Sequence, residues 1–111
     1  MEIIKTQYKR CDVFDISGRI DSATAPKLSE VLNESASAGI HNLALDLADV
    51  EYVSSAGLRV MIDFQKICKH ANQGEVVLVC VPKRIFETLE LAGFVPLFKF
   101  FDDQTSAVGS F

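Results

Sequence analysis

The sequence predicts an α/β fold with a mixed, mostly parallel sheet of four or five strands and about four helices. Short β-prone runs alternate with segments whose apolar residues recur at helical spacing. The run "EVVLVCV", residues 75–81, is almost entirely apolar, as in a strand covered on both faces. A chain of 111 residues has room for one core. We therefore expect a single domain over residues 1–111, with the order β-β-α-β-α-β-α-β-α.

The first two strands are predicted to form a hairpin. The β-prone runs "EIIKTQY" and "CDVFDIS" are separated by the charged residues Lys9 and Arg10. Gly18 then interrupts the strand pattern.

The first helix has several candidate starting residues. Asp21, Ser22 or Thr24 can each cap it, and Pro26 suits its first turn because the missing N–H has no helical partner there. Apolar residues then recur at helical spacing until Gly39, which is expected to end the helix.

The second crossover unit contains the motif on which the functional argument depends. Residues 41–47, "HNLALDL", carry a leucine at every second position, which is typical of a strand. A helix is then expected from Ser54 or Ser55, one of which caps it. Cations in its last turns, Lys66, Lys69 and His70, suit the helix dipole. The predicted apolar face of this helix comprises Gly57, Val60, Met61, Phe64, Ile67, Cys68 and Ala71.

The remaining elements are shorter. Residues 75–81 form a strand, Pro82 starts a helix that Gly93 ends, and residues 97–101 form the last strand. A capped terminal helix is expected within residues 102–111. We interpret the late aromatic residues as core rather than as a binding patch; they are Phe94, Phe98, Phe100 and Phe101.

Charge and composition exclude several classes of partner. The formal net charge is −4, and acidic and basic residues are interleaved without a basic stripe, so a nucleic-acid partner is not expected. No apolar run reaches the length of a membrane span, and the N-terminus lacks the apolar region of a signal peptide. Cys11, Cys68 and Cys80 fit neither a disulfide framework nor a zinc site, and we expect buried free thiols. A cytoplasmic protein without a cofactor is therefore expected.

Two adjacent serines in "EYVSSAGLRVMI", residues 51–62, admit four functions. One serine is enough to cap a helix, which leaves the other hydroxyl free. A catalytic nucleophile would need an oriented imidazole. His70 is expected about 20 Å along the same helix, and His41 at the opposite end of the sheet. We therefore do not expect an enzyme.

The other two functions concern phosphate. "VSSAGL" matches neither Gly-rich phosphate-binding pattern, although helix N-termini do bind anions. A covalent phosphate at this helix start would suit the dipole and would change the charge of the surrounding surface. Acidic residues expected to converge there are Asp21, Asp46, Asp49 and Glu51. The residues alone leave the cap and the phosphorylation site both open.

Three stretches in order resemble one known family. "GRIDSATAPKL" (18–28), "LDLADVEYVSSAGLRVMI" (45–62) and "LELAGFVPLFKFFDD" (89–103) are similar to the marked stretches of STAS-domain proteins, specifically the small bacterial anti-sigma-factor antagonists. By this resemblance Asp46 ends a strand, residues 50–53 form a loop, and Ser54 to Leu58 form the motif that opens a helix.

The resemblance implies a phosphorylation-controlled partner switch that regulates transcription. A serine protein kinase, which is also the anti-sigma factor, would phosphorylate Ser55, and a PP2C-type phosphatase would reverse the step. The unmodified protein would bind the anti-sigma factor and release a sigma factor. Asp21 matches the family acid near this serine, and Ser54, which replaces an Asp found in some members, is the second choice of acceptor. The implied partner-binding residues are Asp21, Ser54, Ser55, Ala56, Gly57 and Leu58.

Two alternatives follow from the same resemblance. A STAS-like module can bind a small ligand or nucleotide at the same helix end. It can also serve a chemotaxis or stressosome type of signalling pathway.

Overall fold

The computed structural model describes residues 1–70 and 74–111 and confirms the predicted order of strands and helices. A short 3₁₀ turn, Val95–Leu97, is added before the last strand. Ala71, which we placed on the apolar face of the second helix, lies outside the described residues. The elements are β1 (Glu2–Gln7), β2 (Asp12–Ile20), α1 (Ala25–Ser37), β3 (Leu43–Val53), α2 (Ser55–His70), β4 (Val76–Val79), α3 (Lys83–Leu91), β5 (Lys99–Phe101) and α4 (Gln104–Gly109).

The sheet has five strands in the order β1-β2-β3-β4-β5. β1 and β2 form the predicted antiparallel hairpin, and the β2–β3, β3–β4 and β4–β5 pairs are parallel. The mixed, mostly parallel sheet is therefore confirmed. Because β2 and β3 run side by side in the same direction, their carboxyl ends meet at one edge of the sheet.

β2 and β3 are longer than the sequence predicts. β2 continues through Gly18, which has a φ of +90°, to Ile20. β3 continues to Val53, so Asp46 does not end the strand and residues 50–53 are not a loop. Two irregularities in the β2–β3 register explain the error, since each breaks the regular alternation of side chains without ending the pairing.

β4 and β5 are shorter than predicted. β4 ends at Val79 because Cys80 has a positive φ of 52°. β5 starts only at Lys99, because the 3₁₀ turn occupies the residues before it.

The sheet is covered unequally on its two faces. The main core lies between one face and helices α1, α2 and α3, and Phe14, Leu45 and Leu78 are fully buried there. A smaller cluster on the opposite face includes Val77 and Ala107 of α4. Of the late aromatics predicted to be core, Phe98 is buried in the main core, and Phe100 and Phe101 are partly buried against the two clusters. Phe94 is also only partly buried, and it lines a groove at the surface. Ile67 is 43% exposed, so its placement on the buried face of α2 was wrong.

The three cysteines are free thiols, as predicted. Cys11 and Cys68 are buried, and burial raises the pKa of Cys68 to about 11. Cys80 is only half-buried, and its Sγ donates to the Asp102 carbonyl at 3.1 Å.

Candidate functional site

The start of α2 lies against the end of β2. Ile20 pairs with Val53 in the parallel ladder, and its carbonyl accepts a hydrogen bond of 2.8 Å from the Ser54 N–H. Ser54 is thereby held beside Asp21, the residue that follows Ile20. Two residues that are far apart in sequence, Asp21 and Ser54, thus belong to one site.

The two adjacent serines have different structural environments. The Ser54 Oγ accepts from the Gly57 N–H at 3.3 Å, and the Ser54 carbonyl accepts from the Leu58 N–H at 2.9 Å, so Ser54 is the cap of α2. Ser55 is the first residue of α2 and its side chain is exposed. Within the described residues its hydroxyl makes no hydrogen bond. The cap therefore occupies one hydroxyl and leaves the other one accessible.

Gly57 allows α2 to pack closely on the sheet. A Cβ at this position would lie 2.6 Å from Ile20 Cγ2 and 3.0 Å from Val53 Cγ1, both in the core. Gly57 and Leu58 are buried. Both residues lie beneath the exposed start of α2, and Leu58 also lines the surface beside Ser55. Their part in partner binding stays a prediction. Ala56 is half-buried beside Ser55.

Asp21 organises the loop that precedes α1. Its carboxylate accepts from the N–H groups of Ala23 at 3.0 Å and Thr24 at 3.1 Å. Desolvation acts to raise the pKa of Asp21, but the hydrogen bonds from Thr24 and Ala23 and the charge of Arg19 together hold that pKa below its usual value. Asp21 is therefore a charged group beside the start of α2.

Asp46 and Asp49 do not join this site. The Asp46 carboxylate accepts a hydrogen bond of 2.7 Å from Gln104 of α4, which also donates to Asp15 at 2.7 Å. Asp49 lies near Asp15 and Asp46 at a small depression. Because α4 and α2 cover opposite faces of the sheet, the expected convergence of these two acids on Ser55 is wrong.

Arg19 and Tyr52 form a contact that the sequence analysis missed. They are paired across β2 and β3, and the guanidinium carbon lies 4.5 Å from the centre of the Tyr52 ring. Arg19 Nε is also 4.0 Å from an Asp21 oxygen. Only the β2–β3 register brings these residues together, so no local sequence pattern indicates the contact.

A groove begins at Ser55 and follows α2. Its volume is about 580 Å³, and Arg59, Ile62 and Lys66 of α2 line one side. Ala92 and Phe94, which follow α3, line the other side. The exposed Ser55 hydroxyl is thus at the end of a surface large enough to receive part of another molecule.

The histidines lie where the sequence predicts. His70 ends α2, fifteen residues after Ser55 and therefore about 22 Å away along the helix axis. His41 precedes β3, at the end of the strand opposite to the serines.

Of the described helices, none combines the length and apolar character needed to cross a membrane.

The fold and the site define a small α/β module with an exposed serine at the start of a helix that packs on a mixed sheet. The chain belongs to the STAS domain family, whose model matches residues 2–107. It is 32% identical over 96 residues to BtrV of Bordetella bronchiseptica, described as a proposed anti-sigma factor antagonist; the match covers 86% of this chain and 82% of BtrV.

Three solved structures show the same fold. A proposed anti-sigma factor antagonist of Thermotoga maritima superposes with a TM-score of 0.90 at 19% identity, over 97% of this chain and 92% of that one. Unphosphorylated SpoIIAA, an anti-sigma factor antagonist, gives a TM-score of 0.84 at 9% identity, over 98% and 95% of the two chains. The structure of phosphorylated SpoIIAA of Bacillus gives 0.77 at 10% identity, over 98% of each chain.

Proposed function

We propose that this protein is an anti-sigma-factor antagonist whose binding is controlled by phosphorylation of Ser55. Its partner is an anti-sigma factor that is also a serine protein kinase, and a PP2C-type phosphatase removes the phosphate. The observation that carries the proposal is the separation of roles between the serines. Ser54 is committed to the helix cap, and Ser55 is exposed at the end of the α2 groove.

The location of Ser55 favours a phosphate. At the first position of α2, free N–H groups and the positive end of the helix dipole stabilise an added negative charge. The exposed side chain lets a kinase reach the hydroxyl without unfolding the helix. The names of the relatives agree with this proposal, since BtrV and SpoIIAA are described as anti-sigma factor antagonists and SpoIIAA has a phosphorylated form.

The partner-binding surface is proposed to include the loop at Asp21 and the start of α2. Asp21, Ser55 and Ala56 supply accessible groups, whereas Ser54, Gly57 and Leu58 fix the position of the helix start. In this arrangement the partner contacts Ser55 directly, so a charge added there changes its affinity.

Phosphorylation can be tested with the purified anti-sigma factor/serine kinase of the same genome, ATP and mass mapping of the product. We expect one phosphate on the parent protein, none on Ser55→Ala, and one on Ser54→Ala. Ser54→Ala is the matched control because it removes the neighbouring hydroxyl at a cost of about 1 kcal/mol in helix capping. Labelled Ser55→Ala together with unlabelled Ser54→Ala would assign the phosphate to Ser54 and overturn this proposal.

A further inference from the structure

The groove that starts at Ser55 continues along one side of α2 to Lys69. A second depression of about 260 Å³ adjoins the first and shares Ile62 and Lys66 with it. Both are lined on one side by a stripe of α2 residues at helical spacing, and we call the combined feature the α2 groove. The stripe consists of Ser55, Arg59, Ile62, Lys66 and Lys69.

The opposite wall of the α2 groove is apolar and fixed in place. It consists of the segment between α3 and β5, with Phe94 in the first part and Pro96 and Leu97 in the second. The buried Gln65 side chain donates to the Leu97 carbonyl at 2.7 Å and to the Val76 carbonyl at 3.0 Å. Leu97 is 43% exposed, so the wall presents apolar surface that nothing in the described part of the chain covers.

The α2 groove is basic although the protein is acidic. Arg59, Lys66 and Lys69 are its cations and Asp63 is its one carboxylate, which leaves a formal charge of +2 in a chain with a net charge of −4. Among the described residues none of these four forms an ion pair. The groove therefore combines apolar contacts with unmatched positive charge.

We propose that the α2 groove binds an acidic amphipathic segment of the anti-sigma factor, and that phosphorylation of Ser55 cancels the charge that attracts it. This inference rests on the proposed function. A phosphoserine adds a charge of about −1.5 to −2, which nearly matches the groove's excess of +2. Arg59 is four residues after Ser55, one turn along the same face, and is the cation placed to pair with the phosphate.

The far end of the groove gives the sharper test, because Lys66 and Lys69 lie about 17 to 21 Å along the helix from Ser55. We expect Lys66→Glu/Lys69→Glu to weaken binding of the unphosphorylated protein to the purified anti-sigma factor/serine kinase at least tenfold. The salt dependence of the affinity should also decrease. The matched control is Lys9→Glu, an exposed lysine in the turn between β1 and β2, for which we expect a change below twofold. Equal effects of the groove and control substitutions, after correction for the number of charges changed, would overturn the proposal.

The pairing of Arg59 with the phosphate can be measured without the partner. Phosphoserine is incorporated at position 55 during synthesis, and its second pKa is followed by phosphorus NMR. We expect the second pKa of the phosphoserine to be lower in the protein that keeps Arg59 than in the same phosphoprotein with Arg59→Gln, because the guanidinium favours the dianion. The same pKa in both proteins would contradict the charge cancellation.

The two readouts separate this inference from the proposed function. One outcome is that Ser55→Ala is still phosphorylated but Lys66→Glu/Lys69→Glu binds the anti-sigma factor more weakly. That result would support binding in the α2 groove and show that Ser55 is not the phosphorylated residue. A second outcome is that phosphoserine at position 55 abolishes binding while the lysine substitutions behave like Lys9→Glu. That result would support control of binding by phosphorylation and show that the α2 groove does not bind the partner.

Discussion

At the scale of single residues, the start of α2 combines a polar cap with a steric requirement. Ser54 fixes the first turn through its bond to the Gly57 N–H, and Gly57 itself lies against Ile20 with no space for a side chain. An added methyl group at position 57 would push the helix start away from the sheet. The position of Ser55 therefore depends on the close packing of Gly57 against the sheet.

Gly57→Ala is expected to destabilise the protein by about 1 to 2 kcal/mol. Overpacking of a core lowers the free energy of unfolding by about 1 to 3 kcal/mol. The better helix propensity of alanine offsets about 1 kcal/mol of this loss or less. Urea denaturation measures the change. The control is Gly109→Ala in α4, where an added Cβ meets nothing within 4 Å and no loss is expected.

A double-mutant cycle identifies the steric cause. In an Ile20→Ala background the cost of Gly57→Ala should fall, because the nearest atom, Ile20 Cγ2, has been removed. An unchanged cost in that background would show that the close contact with Ile20 is not the reason for glycine at this position.

At the scale of the elements, Gln65 connects three segments that the sequence does not relate to one another. Its amide donates to the carbonyls of Val76 and Leu97, and its oxygen accepts from the Val76 N–H at 2.6 Å. The β4–β5 ladder starts only at Val77, so Gln65 takes the place of a strand partner for Val76. One side chain of α2 thereby fixes both β4 and the wall of the α2 groove.

Gln65→Leu is expected to lower the free energy of unfolding by about 3 kcal/mol. Each buried polar group left without a partner costs about 1 to 3 kcal/mol, and the substitution affects at least the two backbone groups of Val76. Chemical denaturation provides the measurement, and Gln7→Leu on the exposed strand β1 is the control. A loss below 1 kcal/mol for Gln65→Leu would mean that water or a shifted strand satisfies Val76.

The same scale shows how far the sequence determines the fold. Hydrophobic spacing was sufficient for the order and type of the described strands and α-helices, because strand and helix periods are local properties. It did not indicate the 3₁₀ turn Val95–Leu97. The ends of β2 and β3 were wrong, since their pairing passes through two register irregularities that no local pattern indicates. The prediction that Asp46 lies near Ser55 was wrong for the same reason. We assumed that the strand ends at Asp46, which would put this side chain at the end of the sheet near Ser55, but β3 continues to Val53.

Prediction of the site succeeded in part. The helix start and the proximity of Asp21 followed from the motif and its resemblance to a family, and the structure places Asp21 next to Ser54. Arg19, Tyr52 and Gln65 were missed, because their partners lie on other strands or segments. Such contacts depend on tertiary structure and leave no trace in the spacing of residues.

At the scale of the whole molecule, charge is unevenly distributed. The protein has a net charge of −4, yet the α2 groove carries unmatched cations. Ser55 lies at one end of that groove, at the edge of the sheet where β2 and β3 end. A phosphate there would change the charge of the proposed binding surface and leave the core unchanged.

The central claim is that phosphorylation blocks binding without unfolding the protein. The helix dipole stabilises an exposed phosphate at the start of α2 by about 0.3 to 1 kcal/mol. Repulsion from the neighbouring Asp21 opposes this effect and is screened over about 8 Å at physiological ionic strength, so we expect a small net change in stability. At an interface the same charge is desolvated, and truncation of such a contact costs about 2 to 5 kcal/mol.

The most direct test compares protein carrying phosphoserine at position 55 with unmodified protein, by thermal melting and by affinity for the purified anti-sigma factor/serine kinase. We expect melting temperatures within a few degrees of each other and an affinity lower by at least about thirtyfold, which corresponds to about 2 kcal/mol. A large fall in melting temperature with the affinity retained would contradict the claim.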